Sequence, residues 1–245
     1  MIAASLQSWS AWAPGCEGED AWRRWVEAPR ALATEGRPEA KFLPPMLRRR
    51  CSTLARIMLA VAFECTPPEL RGRVRTVFAS RHGNINESID LLMRLCRQQP
   101  LSPTRFSHSV HNAQAGLYGI ATENREASSS VAAQEDTFGC GYLEALGHLV
   151  REPGRPVLLV VGDVPLAETF AALVKEPVAS YGVGLLLSAD GPGTKLEFSC
   201  GARTGAAPAL PWPDAAEFVR WLLGDAPQLD LGADRRRWSW TRASP

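Results

Sequence analysis

The segment Val157-Leu158-Leu159-Val160-Val161, closed by Pro156 and Gly162, offers no polar side chain to either of its faces. Side chains alternate across a strand, so a strand of this composition has to be covered on both sides. The chain must therefore supply two layers over a central sheet. With 45% hydrophobic residues among 245, it has enough apolar material to fill them.

The remaining periodicities predict those layers. Ile2, Ala4 and Leu6 alternate with Ala3, Ser5 and Gln7, giving an opening strand over 2–12, and Trp22, Trp25 and Val26 mark a short amphipathic helix over 20–27. Pro44-Pro45 opens a helix whose stripe is Leu47, Cys51, Leu54, Met58, Val61 and Cys65; Pro67-Pro68 stops it, and Arg48, Arg49 and Arg56 lie off the stripe. Residues 73–79 predict a strand. Asn84 and Glu87 form a capping-box pattern before a helix bearing Ile85, Ile89, Leu92 and Cys96. A small-residue-rich helix follows over 103–119, then a serine-rich strand over 127–133. Asp136 or Thr137 caps a helix carrying Phe138, Tyr142, Leu146 and Leu149.

Residues 181–189 and 195–200 read as a hairpin around Asp190-Gly191-Pro192-Gly193. Residues 201–213 read as a linker, Asp214 and Glu217 as caps of a last helix, and 235–242 as an edge strand holding Trp238 and Trp240. Strands alternate with helices, which gives an α/β class: a mixed β-sheet covered by α-helices. The organisation is a single domain over 1–245, with 201–245 a linker, helix and edge strand.

The formal net charge of +1 gives no global pull toward nucleic acid. Basic residues cluster only at Arg48-Arg49-Arg50 and Arg235-Arg236-Arg237, each either a solvated face or a landing patch for an acidic partner. None of the six cysteines forms a CxxC pair or lies near a histidine at ligand spacing, so no metal site is expected. Cys51, Cys65 and Cys96 fall on apolar helical faces, and free thiols fit a reducing cytoplasm. Residues 1–14 lack the basic start of a secretory signal, and no apolar run is long enough to span a bilayer.

Three stretches carry a resemblance. Phe42 to Arg50 (FLPPMLRRR) leads into the basic-sided helix. Ser107 to Gly116 (SHSVHNAQAG) precedes Gly119-Ile120-Ala121-Thr122. Ser128 to Ala133 (SSSVAA) precedes a helix centred on Gly141 and the Val157–Gly162 strand. In this order they resemble the N-terminal half of β-ketoacyl synthases, and most closely the chain-length factors of aryl-polyene and xanthomonadin-type pigment clusters, over about residues 1–200.

The resemblance implies a thiolase-like half-fold and a dimer. It also implies a nucleophilic cysteine at the start of the helix after the serine-rich strand, where helix-terminal amides favour the thiolate. Matching the helix glycine to Gly141 puts Ala133 at that position; a one-residue slip puts Gln134 there. Neither is a nucleophile. Family members take two catalytic histidines from a C-terminal half, and no histidine follows residue 200 here. His111 and Asn112 match an interface motif instead of that pair.

The expected function is therefore a non-catalytic, chain-length-factor-like subunit, without a cofactor. Its partners would be an active ketosynthase in a heterodimer and an acidic acyl carrier protein received on Arg48, Arg49 and Arg50. Phe138 and Tyr142 are the candidates for a tunnel or interface wall. The competing reading is a small thioester-handling acyltransferase that uses Cys140; a third is a stand-alone acyl-binding module. Gly139-Cys140-Gly141 fails as a dinucleotide fingerprint, since no acidic residue closes a βαβ unit in the right place, and reads as close helix packing. Ser128-Ser129-Ser130 lacks a nucleophile elbow. Gly162-Asp163 follows the buried strand, where open α/β sheets place ligand sites, but the resemblance implies a structural turn there.

Overall fold

The computed structural model describes residues 1–171, 177–205, 209–233 and 235–243. In chain order the elements are β1 (Ile2–Ala13), β2 (Cys16–Glu17), α1 (Glu19–Glu27), α2 (Pro45–Arg50), α3 (Thr53–Cys65), α4 (Pro68–Arg71), β3 (Arg75–Ala79), α5 (Ile85–Cys96), α6 (Pro103–Ser107) and α7 (Ala113–Thr122). They continue with β4 (Ser128–Val131), a 3-10 turn (Gln134–Asp136), α8 (Thr137–Arg151), β5 (Val157–Asp163), α9 (Glu168–Ala171), β6 (Tyr181–Ser188), β7 (Thr194–Ala202), α10 (Asp214–Leu223), β8 (Gln228–Leu231) and β9 (Arg236–Arg242).

One mixed sheet runs β4-β3-β5-β6-β1-β7-β9-β8, with β2 paired to β1. Strands β4, β3 and β5 are parallel to one another; β5–β6, β6–β1, β1–β7, β7–β9 and β9–β8 are antiparallel. The apolar run behaves as its composition requires. Val157, Leu159 and Val161 enter one core with α8 and α10 residues, while Leu158 and Val160 enter a second core with α3 and α7. This is the α/β, thiolase-like layer arrangement.

Two local devices let the layers close. A β-bulge between Leu6 and Ser8 shifts the phase of β1, so Ala4 and Leu6 before it share a core with Ala11 and Ala13 after it. Ser8 and Ser10 then face α3, bonding the Cys65 carbonyl at 2.6 Å and the Glu64 carboxylate at 2.7 Å. Glycine supplies the second device. A Cβ at Gly182 would lie 2.7 Å from Ile57, and one at Gly184 would lie 2.8 Å from Cys65, so α3 rests directly on β6.

Arginines close three helix C-termini, where carbonyls lack intrahelical donors. Arg71 donates to the Phe63 and Thr66 carbonyls after α3. Arg75, 2% exposed, donates to the carbonyls of His148, Glu152 and Arg155 after α8. Arg242 donates to those of Trp221, Leu222 and Gly224 after α10.

Several sequence expectations are corrected. The helix expected from Pro44 to Pro67 is two: Cys51 leaves helical geometry and the Ser52 hydroxyl accepts the Ala55 N–H, capping α3 afresh. The helix expected over 103–119 likewise divides into α6 and α7, with Ser102 capping the first. The capping box at Asn84 does not form, because its amide is spent on Ser52 and the His108 carbonyl, and Glu87 pairs with Arg105. Nor do Asp214 and Glu217 cap α10: Pro213 holds the cap position, and Glu217 is buried against Trp212 and Arg220.

The expected hairpin of β6 and β7 does not exist either. Strand β1 lies between them, pairing Ser5 with Ser188 on one side and Lys195 on the other. The glycine-rich turn reverses the chain but leaves the gap that β1 fills. Finally, β9 is interior, between β7 and β8, and Trp238 and Trp240 are fully buried. Of the expected linker, Gly201 and Ala202 extend β7, and residues 206–208 lie outside the described residues.

Candidate functional site

The parallel strands β4, β3 and β5 end side by side, and carboxyl ends of parallel strands are where open α/β sheets place ligand sites. Three segments meet there. After β4 the chain turns sharply into α8: Ala133 has φ −145°, ψ 37°, and Gln134 takes φ +51°, a left-handed conformation that costs a non-glycine residue about 1–2 kcal/mol. The turn is pinned by Thr137, whose hydroxyl donates to the Gln134 carbonyl at 2.7 Å and accepts the Ala133 N–H at 3.0 Å. Trp238 donates its indole N–H to Asp136 at 2.7 Å, so the tail strand also holds the turn. Ala133, Gln134 and Glu135 occupy the turn, and none carries a thiol.

After β3 comes the loop Ser80-Arg81-His82-Gly83. The half-buried Asp163 carboxylate, at the end of β5, accepts the Ser80 hydroxyl at 2.7 Å and the backbone N–H groups of Arg81 and His82 at 3.1 and 3.2 Å. Burial pushes the Asp163 carboxyl up and the His82 imidazole down, each favouring the neutral form. Arg81 reaches the turn, its Nη2 lying 4.0 Å from the Glu135 carboxylate. The position of Asp163 at the end of a buried strand marked it in sequence as a ligand-site candidate, against the structural turn that the resemblance implies; the loop it organises was not legible there.

His111 serves the same loop. Its Nε2 donates to the Ser80 carbonyl at 2.7 Å, and its ring sits 2.8 Å from where a Cβ of Gly83 would be, at φ +55°, so only glycine fits there. Asn112 is exposed at the start of α7. It borders a groove of about 910 Å³ between α7 and β4, lined also by Gly116, Gly119, Ile120, Arg125 and Ser130. Strand β4 is an edge of the sheet. The preceding segment is amphipathic with its apolar side uncovered: Leu92, Met93, Leu95, Phe106, Val110 and Ile120 are all exposed. Cys96, expected on a packed face, is exposed with them.

Arg48, Arg49 and Arg50 form the last turn of α2, Arg48 half-buried and the other two exposed. His108 Nδ1 lies 3.1 Å from the Arg50 carbonyl, and the Ser52–Asn84 bond links this corner to the residue after Gly83. The basic turn thus adjoins the site loop. Phe138 and Tyr142, expected at a tunnel or interface, lie instead in the core. Both rings are buried and pack on Trp240 at 5.4 Å, alongside Phe198 and Phe218. Cys140 is half-buried in α8, and burial pushes its thiol up; Arg236, 4.0 Å away, is its recorded polar contact. Gly139 and Gly141 are packing glycines: a Cβ would fall 2.3 Å from Trp238 and 2.8 Å from Ala79. Among the described residues no His, Cys, Asp and Glu side chains gather in groups that could hold a metal, and no helix is long and apolar enough to cross a membrane.

The model of the β-ketoacyl synthase N-terminal domain matches residues 22–241. The chain belongs to this family. Among solved structures, it is 28% identical to a chain of the ketosynthase ApeO in complex with its chain length factor ApeC from Xenorhabdus doucetiae, with a TM-score of 0.84 over 99% of this chain and 100% of that one. The ishigamide ketosynthase/chain length factor shares 14% identity at a TM-score of 0.64, over 82% of this chain and 67% of the other. A chain of AntDE:AntF, a type II acyl-carrier protein in complex with its ketosynthase, shares 9% at 0.70 over 99% of each. The last two establish likeness of fold alone. None of the curated proteins matches. In this ketosynthase-like domain the β4–α8 turn, the 80–83 loop and Asp163 form the candidate site.

Proposed function

We propose that the protein is a non-catalytic, chain-length-factor-like subunit that pairs with an active β-ketoacyl-carrier-protein synthase in the cytoplasm, in aryl-polyene-type pigment synthesis. One observation carries the reading: the strand-to-helix turn at the sheet's open edge has the strained geometry of a reactive elbow but holds Ala133, Gln134 and Glu135 instead of a thiol. Condensation needs a nucleophile to carry the acyl group, and this turn supplies none.

The uncovered β4 edge and the exposed apolar side chains beside it supply the reason to assemble. An unpaired edge offers its N–H and C=O groups to a partner strand, and Ile120 and Phe106 leave water when a partner covers them. Arg48, Arg49 and Arg50 receive an acidic acyl carrier protein at the same end of the sheet, and His111 and Asn112 shape the interface rim. The relative described as a ketosynthase with its chain length factor fits this division of labour.

The test is co-expression with a full-length, cysteine-bearing ketosynthase of the same cluster. The expected result is a one-to-one complex on size-exclusion chromatography with light scattering, and condensation activity that requires the ketosynthase cysteine and not Cys140. A ketosynthase that remains fully active and unassociated in the presence of this chain would overturn the proposal.

A further inference from the structure

Strand β4 is an edge of the sheet, paired only to β3 over four residues. Ser128 and Ser130 line the groove with α7, so the side chain between them, Ser129, points to the other face and meets α8. Its hydroxyl donates to the Glu144 carboxylate at 2.7 Å and lies 3.2 Å from His148 Nε2; that nitrogen is 3.5 Å from the same carboxylate oxygen. A hydroxyl has one proton. With that proton on Glu144, Nε2–H must be the donor to Ser129, which fixes the imidazole tautomer. Among the described residues, these are the recorded side-chain hydrogen bonds between β4 and α8.

Adding a proton at Nδ1 breaks neither bond. It places a positive charge 3.5 Å from a carboxylate and in the last turn of α8, where the helix carbonyls favour a cation. Burial of His148 opposes the charge, as does Arg75, which donates to the His148 carbonyl. The remaining charges at this end offset one another: Arg75 and Arg155 both face Glu152, Arg155 also pairs with Glu126, and Arg151 follows on α8. Glu144 is the charge that meets the ring itself. Histidine is the side chain that ordinarily changes charge between about pH 5 and 8.

We propose that Ser129, Glu144 and His148 form a latch that seats the edge strand β4 on α8 and tightens when His148 gains a proton. A better-ordered edge is a better template for a partner strand; that consequence rests on the assembly proposed above, whereas the latch itself does not. Hydrogen exchange of the chain alone, read by mass spectrometry and corrected for the intrinsic pH dependence, tests it without a partner. Protection of residues 126–133, relative to that of β5, should rise at least about threefold from about pH 8 to about pH 6. Ser129→Ala removes both bonds and should lower protection at each pH. Glu144→Gln keeps an acceptor for Ser129 at an exposed position but removes the charge, so the rise should disappear; His148→Gln should abolish it as well. An undiminished rise in Glu144→Gln, protection that falls toward acid in the wild type, or a Ser129→Ala strand protected like the wild type overturns the latch.

Discussion

Replacing Ile120 with glutamate tests the proposed interface without disturbing the fold. Ile120 lies on α7, borders the groove beside β4 and is 69% exposed. A fully buried isoleucine gains about 1.5–3 kcal/mol, so covering the exposed part of this one contributes about 1–2 kcal/mol to association. A carboxylate there forfeits that gain and adds the cost of desolvating a charge, at least another ~2 kcal/mol when it finds no partner. The sum, about 3 kcal/mol or more, corresponds to a Kd raised roughly a hundredfold or more. The free subunit should keep its stability within about 0.5 kcal/mol, since nothing buried is touched. Calorimetric titration of the ketosynthase with wild-type and Ile120→Glu subunits measures the first quantity, and urea unfolding the second. A Kd changed less than about threefold, with stability intact, would refute the placement of the interface on α7 and β4.

Three further outcomes follow from the packing. Arg75→Met removes the donor shared by three carbonyls at the end of α8 and is expected to cost about 3 kcal/mol in urea unfolding, because buried charged donors leave unsatisfied acceptors when deleted; a loss below 1 kcal/mol contradicts it. Gly139→Ala drives a methyl into the Trp238 ring, which cannot yield while its indole holds Asp136, so a loss of about 1–3 kcal/mol and a perturbed near-ultraviolet circular dichroism spectrum are expected. The third concerns acid. Hydrogen bonding to Arg94, aided by Arg105, holds the Asp90 carboxyl below its ordinary value. Its contribution is therefore complete above the unfolded pKa and fades as pH falls through the folded one. Asp90→Asn should flatten that part of the acid unfolding profile, and an unchanged profile argues against the α5–α6 charge network as a stabilising element.

The candidate site divides between what composition reveals and what only contact reveals. The missing thiol was legible because the resemblance, with its helix glycine matched to Gly141, puts Ala133 at the cysteine position, or Gln134 after a one-residue slip. That Gln134 bears the left-handed backbone angle, with Glu135 reaching toward Arg81, needed the chain's path between strand and helix. Phe138 and Tyr142 were candidates for tunnel walls because the resemblance puts bulky side chains near the interface, and both lie on the apolar face of the helix after the turn. That face is shared by any buried helix, and here the tail strand covers it with Trp240.

Local sequence determined the α/β class outright. A five-residue run with no polar face has no stable home except between two layers, and that physics is independent of topology. It also determined most helices and strands, because the 3.6- and 2-residue periods are properties of the chain itself. Strand order was decided only by tertiary structure. The Asp190-Gly191-Pro192-Gly193 turn permits a hairpin, yet β1, some 180 residues earlier, takes the place between β6 and β7. Hydrogen-bonding edges are alike in every strand, so the choice among them rests on which side chains then fit against α3, α8 and α10. The same holds for Arg75 and Arg242, which close α8 and α10: each is an ordinary basic residue in sequence, made structural by carbonyls that another segment brings to it.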